Sequence, residues 1–350
     1  MNITICQPED VWHLRKLTAA ILCVCFVIGL VGNGLVLWMT VFRMTRTVTT
    51  IWFFNLALSD FIVLLSLPIA IHTLTIGEWP FNQWVCKLYQ GFRSLIFFTS
   101  INLLVLISVD RCISVLYPIW ARNHRTVQRA NWLAVGVWLL SAFTCYPYLK
   151  FRSIGTLKNC SYCYVNFNTT HGEIPILDQV VVGRHMAMTI AHLLLGFLVP
   201  LVVIGTCAHL IWTNIRWEGR VHTSWTKRLL LVLVSVFFTC WFPFNVALWV
   251  QLWRFVQYRN PIDPKMLIFL WATSSLGCLN SCLNPFLYVF IGRDFKQKFL
   301  QSIPSSLARA FAEDGVLSLT VPKVKPQGNN GDLQVQAGSP SAVSQGISLG

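Results

Sequence analysis

Charge is what this 350-residue chain has least of. Only 11% of its residues are charged, and its 13 acids are outnumbered by 27 Lys and Arg. Soluble domains carry about a quarter charged residues, so the scarcity excludes a water-soluble globular protein. The few charges are also kept out of the long apolar runs. No cleavable signal peptide is evident, because residues 1–16 are polar and the first apolar run is too long for a signal h-region. There is no internal repeat, and no pair of broken hydrophobic segments in matching halves of the kind transporters carry. Within the apolar runs no metal-ligand or nucleophile–base spacing appears, which argues against an intramembrane enzyme. The region after Pro304 lacks cysteine, which excludes palmitoylation there.

What is present is hydrophobic length. Apolar residues make up 55% of the chain and the mean hydropathy is +0.59. Predominantly apolar segments fall near 17–42, 49–74, 88–109, 132–149, 186–213, 229–253 and 266–292. Each is long enough to cross a bilayer as a helix. Barrel strands would alternate apolar and polar over about ten residues, whereas these runs are continuous. The expected fold is an all-α membrane protein, a bundle of seven transmembrane helices over 17–292. An amino-terminal segment, 1–16, precedes it. Phe295, Phe299 and Ile303 among Lys296 and Lys298 predict a short amphipathic helix on the inner membrane surface at 293–303. The rest, 304–350, reads as a cytosolic tail, largely disordered and rich in Gly, Ser, Gln and Pro.

The net charge of +14 invites a nucleic-acid reading, but the basic residues alternate with the spans and form no single patch. With the amino terminus outside, Arg43, Arg46, Arg122, Arg125, Arg129, Lys227, Arg228 and the other basic residues of those segments fall inside. This is the bias of the positive-inside rule. Three glycosylation acceptors, at Asn2, Asn159 and Asn168, all fall in segments assigned to the outside. Of twelve cysteines, Cys6, Cys86, Cys160 and Cys163 lie on that side too, where oxidation is favoured. Cys86 should bridge to Cys160 or Cys163, leaving the other to pair with Cys6 or stay free. The loop at 150–185 is long enough to be functional or lid-like.

Polar groups inside the spans carry the chemistry. Asp110-Arg111 closes the third apolar run, where a charged pair must sit at a membrane face. Asp60 is the one charge in the second span, and Ser100, Asn280, Ser281 and Asn284 lie at depths that approach it. It is either a hydrogen-bonded structural carboxylate or the centre of a small-cation site, with sodium the expected occupant. Pro243 follows Cys240-Trp241-Phe242, and Pro285 follows Asn284; a kink beside a bulky aromatic gives a pivot with two packings. Arg93 lies two turns into the third span and should face the bundle interior, as a structural ion pair or as a counter-charge for an anionic ligand. His72, Lys150, Arg184 and His192 are further basic or titratable groups in the outer thirds of their spans. No acid lies in the outer halves of the helices to neutralise them, which suits an acidic, largely apolar ligand. His192 has the plainer alternative of a hydrogen bond to a neighbouring helix.

With these residues stand Gly32-Asn33-Gly34-Leu35-Val36, Leu56-Ala57-Leu58-Ser59-Asp60, Trp138, Pro200 and Asn284-Pro285-Phe286-Leu287-Tyr288. Together the motifs resemble those of the class A (rhodopsin-like) G-protein-coupled receptors. Within that class the chain is similar to the formyl peptide and chemoattractant receptor group. The likeness rests on Phe42 through Val48, Asp110-Arg111-Cys112, Trp120 through Val127 and Gly292-Arg293-Asp294-Phe295. The runs Gly205 through Leu210 and Arg228 through Ser235 lie nearest the resolvin-responsive part of the group.

The resemblance implies a multi-pass plasma-membrane receptor that is not an enzyme, with its amino terminus extracellular. It implies coupling to a heterotrimeric G protein, of inhibitory type, and binding of arrestin through the Ser/Thr-containing tail. The implied ligand is an anionic lipid mediator, resolvin- or lipoxin-like, acting in leukocyte or inflammatory responses. A chemotactic peptide is the alternative, and a membrane transporter or channel the alternative of another class.

By position, Arg111 would pair with Asp110 at rest and meet the G protein when active. Trp241 with Pro243 would be the toggle, and Asn284, Pro285 and Tyr288 the inner switch. Asp60, Ser100, Asn280 and Asn284 match an allosteric sodium site, the one ion implied, with no other cofactor. Cys86 with Cys163 would be the outer disulfide. The chain departs from the group at Ser94, Met188 and His192, where formyl-peptide recognition uses an aspartate and two arginines, and at Ala208, where the family carries a tyrosine.

Overall fold

The computed structural model describes residues 6, 9–167, 175–218, 224–258 and 263–291, all within one of the two compact units of the chain, Met1–Ser302. The surface helix expected at 293–303, the tail 304–350, Asn2 and Asn168 lie outside the described residues. Among the described residues, seven helices are long and apolar enough to cross a membrane: Glu9–Phe42, Val48–Ile76, Gln83–Leu116, Val127–Lys150, Gln179–Asn214, Ser235–Tyr258 and Pro264–Phe286. The protein is a multi-pass, predominantly helical membrane protein.

Its polarity is inverted relative to a soluble bundle. Asp60, Asn33, Ser59 and Asn284 are no more than 1% exposed, whereas Phe143 is 80% and Leu139 67% exposed. Apolar side chains that face outward need lipid around them, and the polar ones inside need partners from neighbouring helices. The first span packs on the second and seventh, the third on the second, fourth and fifth, and the sixth on the fifth and seventh. The third span therefore threads the centre.

Helix boundaries follow capping chemistry more closely than hydropathy. Thr47 opens the second span with a capping box shared with Thr50, and Asn82 and Thr126 cap the third and fourth spans with their side-chain oxygens. The third helix runs Gln83–Leu116, well beyond 88–109. Asp110 and Arg111 thus sit inside helix rather than at its end. The first regular helix begins at Trp12, within the polar segment expected to precede the bundle. Helical backbone satisfies its own hydrogen bonds and so continues into the interfacial region.

Two spans are irregular. The second is broken at Ser66, between helices Val48–Leu65 and Leu67–Ile76, with Pro68 at the start of the latter. It ends at Gly77, whose φ of 94° is the left-handed cap. The fifth contains a five-residue π turn, Leu194–Leu198, between helices Pro175–Leu193 and Val199–Glu218.

One addition to the helical expectation is a hairpin of strands β1, Arg152–Leu157, and β2, Cys160–Val165. Its two-residue turn puts Lys158 and Asn159 at φ 51° and 65°, the positive angles that hairpin twist favours. The exposed acceptor Asn159 occupies its tip. Glu78 accepts from the Ser161 amide at 3.0 Å, the Trp79 amide donates to the Ser161 carbonyl at 2.8 Å, and Gln83 bonds Arg152 and Ile154. The hairpin is thereby fastened to the segment leading into the third span.

Candidate functional site

Four cysteines lock the hairpin end. Cys86 is joined to Cys163, with Cα atoms 5.8 Å apart, and Cys6 to Cys160 at 5.6 Å. Tyr162 donates its hydroxyl to the Cys6 carbonyl, and Lys265 pairs with Asp10. Glu78 lies with Cys6 and Cys160 in a cluster of ligand-type atoms, but those sulfurs are spent in the disulfide.

Beneath the hairpin is a cavity of about 190 Å³. The third span contributes Arg93 and Phe97, the fourth Tyr148, the fifth His185 and His192, the sixth Trp241, and the seventh Trp271. The hairpin supplies Arg152. The Arg93 guanidinium lies 4.8 Å from the centre of the Trp271 ring and 5.7 Å from that of Tyr89, close enough for the ring faces to steady the charge. Among the described residues no Asp or Glu lines the cavity. Burial pushes the Arg152 pKa down to about 10; the Tyr148 phenol opposes that shift and the nearby Arg93 charge adds to it. Two mutually repelling cations in a low-dielectric wall, with no carboxylate among the described lining residues, are an arrangement that an anion would neutralise.

Above it, a wider vestibule of about 880 Å³ is lined by Cys6, Glu9, Lys158 and Tyr258 among others. It shares Val165, His185, Gln251 and Leu267 with the inner cavity, so these side chains form the wall between the two. Its Arg254 and Asp263 are paired at 2.6 Å.

Not every basic residue expected at this site reaches it. His72 is exposed and rests against Phe81, ring centres 5.8 Å apart, outside the cavity lining. Ala70 and Leu74 point inward, and two residues on either side of an inward position lies the opposite helix face. Arg184 donates to the Phe167 carbonyl at 3.1 Å and ties down the segment after the hairpin instead of lining the cavity. Lys150 is exposed. His192 does line the cavity, with Nδ1 2.8 Å from the Tyr148 hydroxyl and its ring stacked on Phe97. Arg152 was missed. Its signal was the distance of Cys163 along the chain, which a hairpin turns into proximity.

Deeper in the bundle Asp60 is fully buried and well served. Ser281 donates to it at 2.8 Å, Asn284 at 2.6 Å and Ser100 at 3.5 Å. Asn280 faces the cavity, and Ser100 and Ser281 border it too. Asn33 donates to the Ser281 carbonyl at 3.0 Å, fastening the first span to the seventh at this level. Trp241 packs against Gly277, where a Cβ would stand 2.4 Å from the indole ring, so only glycine permits that approach. Asn245, two residues beyond Pro243, donates to the Trp241 carbonyl at 2.9 Å. Pro285 and Tyr288 lie on the last helix, Pro264–Ile291.

At the opposite end the expected Asp110–Arg111 pair is replaced. Arg125 holds Asp110 through two bonds, Nε–Oδ1 at 2.7 Å and a second nitrogen to Oδ2 at 2.9 Å. Arg111 bonds Thr49 Oγ1 at 3.3 Å, and Arg125 shares that hydroxyl at 2.9 Å. Successive residues on a helix point about 100° apart, so Asp110 reaches the connecting segment more easily than its neighbour. Ala208 and Cys207 pack with Cys112 there, filling with small side chains the place of a tyrosine.

These features together fit a signalling bundle, and the comparisons decide which. The profile of the "7 transmembrane receptor (rhodopsin family)" matches residues 32–288. The chain belongs to the rhodopsin family of G-protein-coupled receptors. It is 57% identical over 318 residues to the human protein described as "Probable G-protein coupled receptor 32", covering 91% of this chain and 89% of that one. It is 41% identical over 308 residues to human N-formyl peptide receptor 2, covering 86% and 87%, and 39% identical over 302 residues to formyl peptide receptor 2 of Mus musculus, covering 85% and 86%. This rhodopsin-family receptor is thus a member of the chemoattractant group, a membrane protein that couples to G proteins and not an enzyme.

Proposed function

We propose that this receptor sits in the plasma membrane with its hairpin end outside and binds an anionic, largely apolar ligand of the resolvin or lipoxin kind. One observation carries the reading: Arg93 and Arg152 meet in a cavity that no Asp or Glu lines among the described residues. The carboxylate would lie between the guanidiniums, and the hydrocarbon against Phe97, Phe244, Leu248, Leu270 and Trp271. Coupling is through an inhibitory-type G protein, in leukocyte or inflammatory responses, with arrestin engaging the tail. Asn2, Asn159 and Asn168 carry the glycans.

Asp60 with Ser100 and Ser281 would hold a sodium ion. The donor set fits, being a carboxylate with two hydroxyls that can turn their lone pairs to a hard cation. When bound, the ion supplies the positive charge that the buried carboxylate otherwise lacks. These residues then hold the second, third and seventh spans together at mid-depth.

A chemotactic peptide is the second reading, favoured by the vestibule of about 880 Å³ and by the name of the formyl peptide receptor relatives. Against a formylated one stand Ser94, Met188 and His192 in the cavity wall. A nucleotide-exchange assay with hydroxylated polyunsaturated fatty acids and chemotactic peptides, on wild type and Arg93→Ala, tests the choice. The expected result is activation by a lipid carboxylate that Arg93→Ala abolishes. Equal activation of both receptors would make Arg93 structural and overturn the site.

A further inference from the structure

The cavity carries more hydrogen-bonding capacity than one carboxylate can use. Arg152 Nε, His185 Nδ1, His192 Nε2 and Trp241 Nε1 are buried and without a hydrogen-bond partner, and all four side chains line this cavity. Buried polar atoms are paired in about nine cases in ten or more, so four around one cavity mark a place built for something polar. They also form a trail. Tyr148, next to Arg152 electrostatically, holds His192 Nδ1 at 2.8 Å. Phe97 then stacks on His192 at 4.8 Å between ring centres and meets the Trp241 ring edge-on at 4.6 Å.

We propose that His192 reads a hydroxyl group on the hydrocarbon chain of the ligand through Nε2, with Trp241 Nε1 as a second donor along the same wall. The inference rests on the reading of an anionic lipid ligand and adds the residue that selects among such lipids. The choice of a hydroxyl comes from the tautomer. If Tyr148 donates to Nδ1, Nε2 carries the proton; if Tyr148 accepts, Nε2 is bare. A hydroxyl both donates and accepts and so satisfies either form. A ketone serves only the first. An ammonium serves only the second and is repelled by Arg93 and Arg152. Phe98 and Phe244 meet the imidazole edge-on, with centres at 5.8 and 5.5 Å, and surround it with apolar rings.

The position also explains how a cavity this apolar can discriminate. Apolar walls reject an extra hydroxyl only weakly, whereas a site with unpaired buried polar groups rejects the analogue that lacks it strongly. A plain fatty acid would fill the cavity and leave Nε2 unpaired.

The test is competition binding to the full-length receptor in lipid nanodiscs, using a long polyunsaturated fatty acid and its hydroxylated derivative of equal chain length. Wild type is expected to prefer the hydroxylated lipid by about tenfold or more. His192→Phe should bring the ratio close to one, while His192→Gln, which keeps a donor and an acceptor, should retain most of it. Tyr148→Phe should lower the ratio in between, and it tests the same claim should His192→Phe not fold. Arg93→Ala should weaken both lipids by the same factor. A preference that persists in both His192→Phe and Tyr148→Phe overturns the assignment. If both lipids bind through Arg93 with no preference in wild type, the hydroxyl inference alone fails. If neither binds, the anionic-lipid reading fails and takes this one with it.

Discussion

Two charged sites lie inside the same bundle and are finished in opposite ways. Asp60 is an acid with no Lys or Arg among its described partners, and both its oxygens have donors: Ser281 and Ser100 on one, Asn284 on the other. Arg93 and Arg152 are cations with no acid among the described residues of their cavity, and around them polar atoms are left without partners. A satisfied buried charge ties helices together, while an unsatisfied one waits for a counter-charge from outside. The difference is what sets the proposed sodium site apart from the proposed ligand site.

The comparison breaks most visibly if the cations are removed. Arg93→Ala with Arg152→Ala should cost a carboxylate ligand more than about 2 kcal/mol, roughly thirtyfold or more in affinity, with the fold intact by thermal denaturation. Leaving affinity unchanged would remove the anion site altogether. In the wall of the same cavity, Gly277→Ala drives a methyl against Trp241. Overpacking of this kind costs about 1–3 kcal/mol, read as a lower melting temperature in detergent.

Arg125→Ala is expected to cost about 1.5 kcal/mol of stability and to let Asp110 turn to Arg111. Ligand-free nucleotide exchange should then fall, and Asp110→Asn in the same chain should restore it. The smallest effect is in pH. Arg152 is charged below its pKa of about 10 and loses the charge only as pH rises through that value, so lipid binding should be flat from about pH 7 to 8.5. Binding that fades within that range would take the anion away from Arg152.

Much of the fold was legible because lipid forces it. Continuous apolar runs leave helices as the one open choice, and Asp60 stood out as the lone charge in its span. Asn284, Pro285 and Tyr288 were singled out by their motif, though Asp110 found Arg125 because helix geometry points it away from its neighbour. The hairpin was not legible. Arg152–Leu157 and Cys160–Val165 are short and carry no clean alternation, and disulfides and contacts with Glu78, Trp79 and Gln83 hold them. With the hairpin unseen, Arg152 read as one more loop cation. His72 was misplaced for a related reason: facing depends on helical phase, and the break at Ser66 separates His72 from the phase set by Asp60.

Strand β2 holds Cys160 and Cys163 three residues apart, so their side chains leave on opposite faces. One grips the amino-terminal segment and the other the third span. A plate riveted on both sides cannot swing like a flap. Cutting one rivet should therefore quicken the arrival and departure of the proposed ligand together, while leaving its affinity nearly where it was.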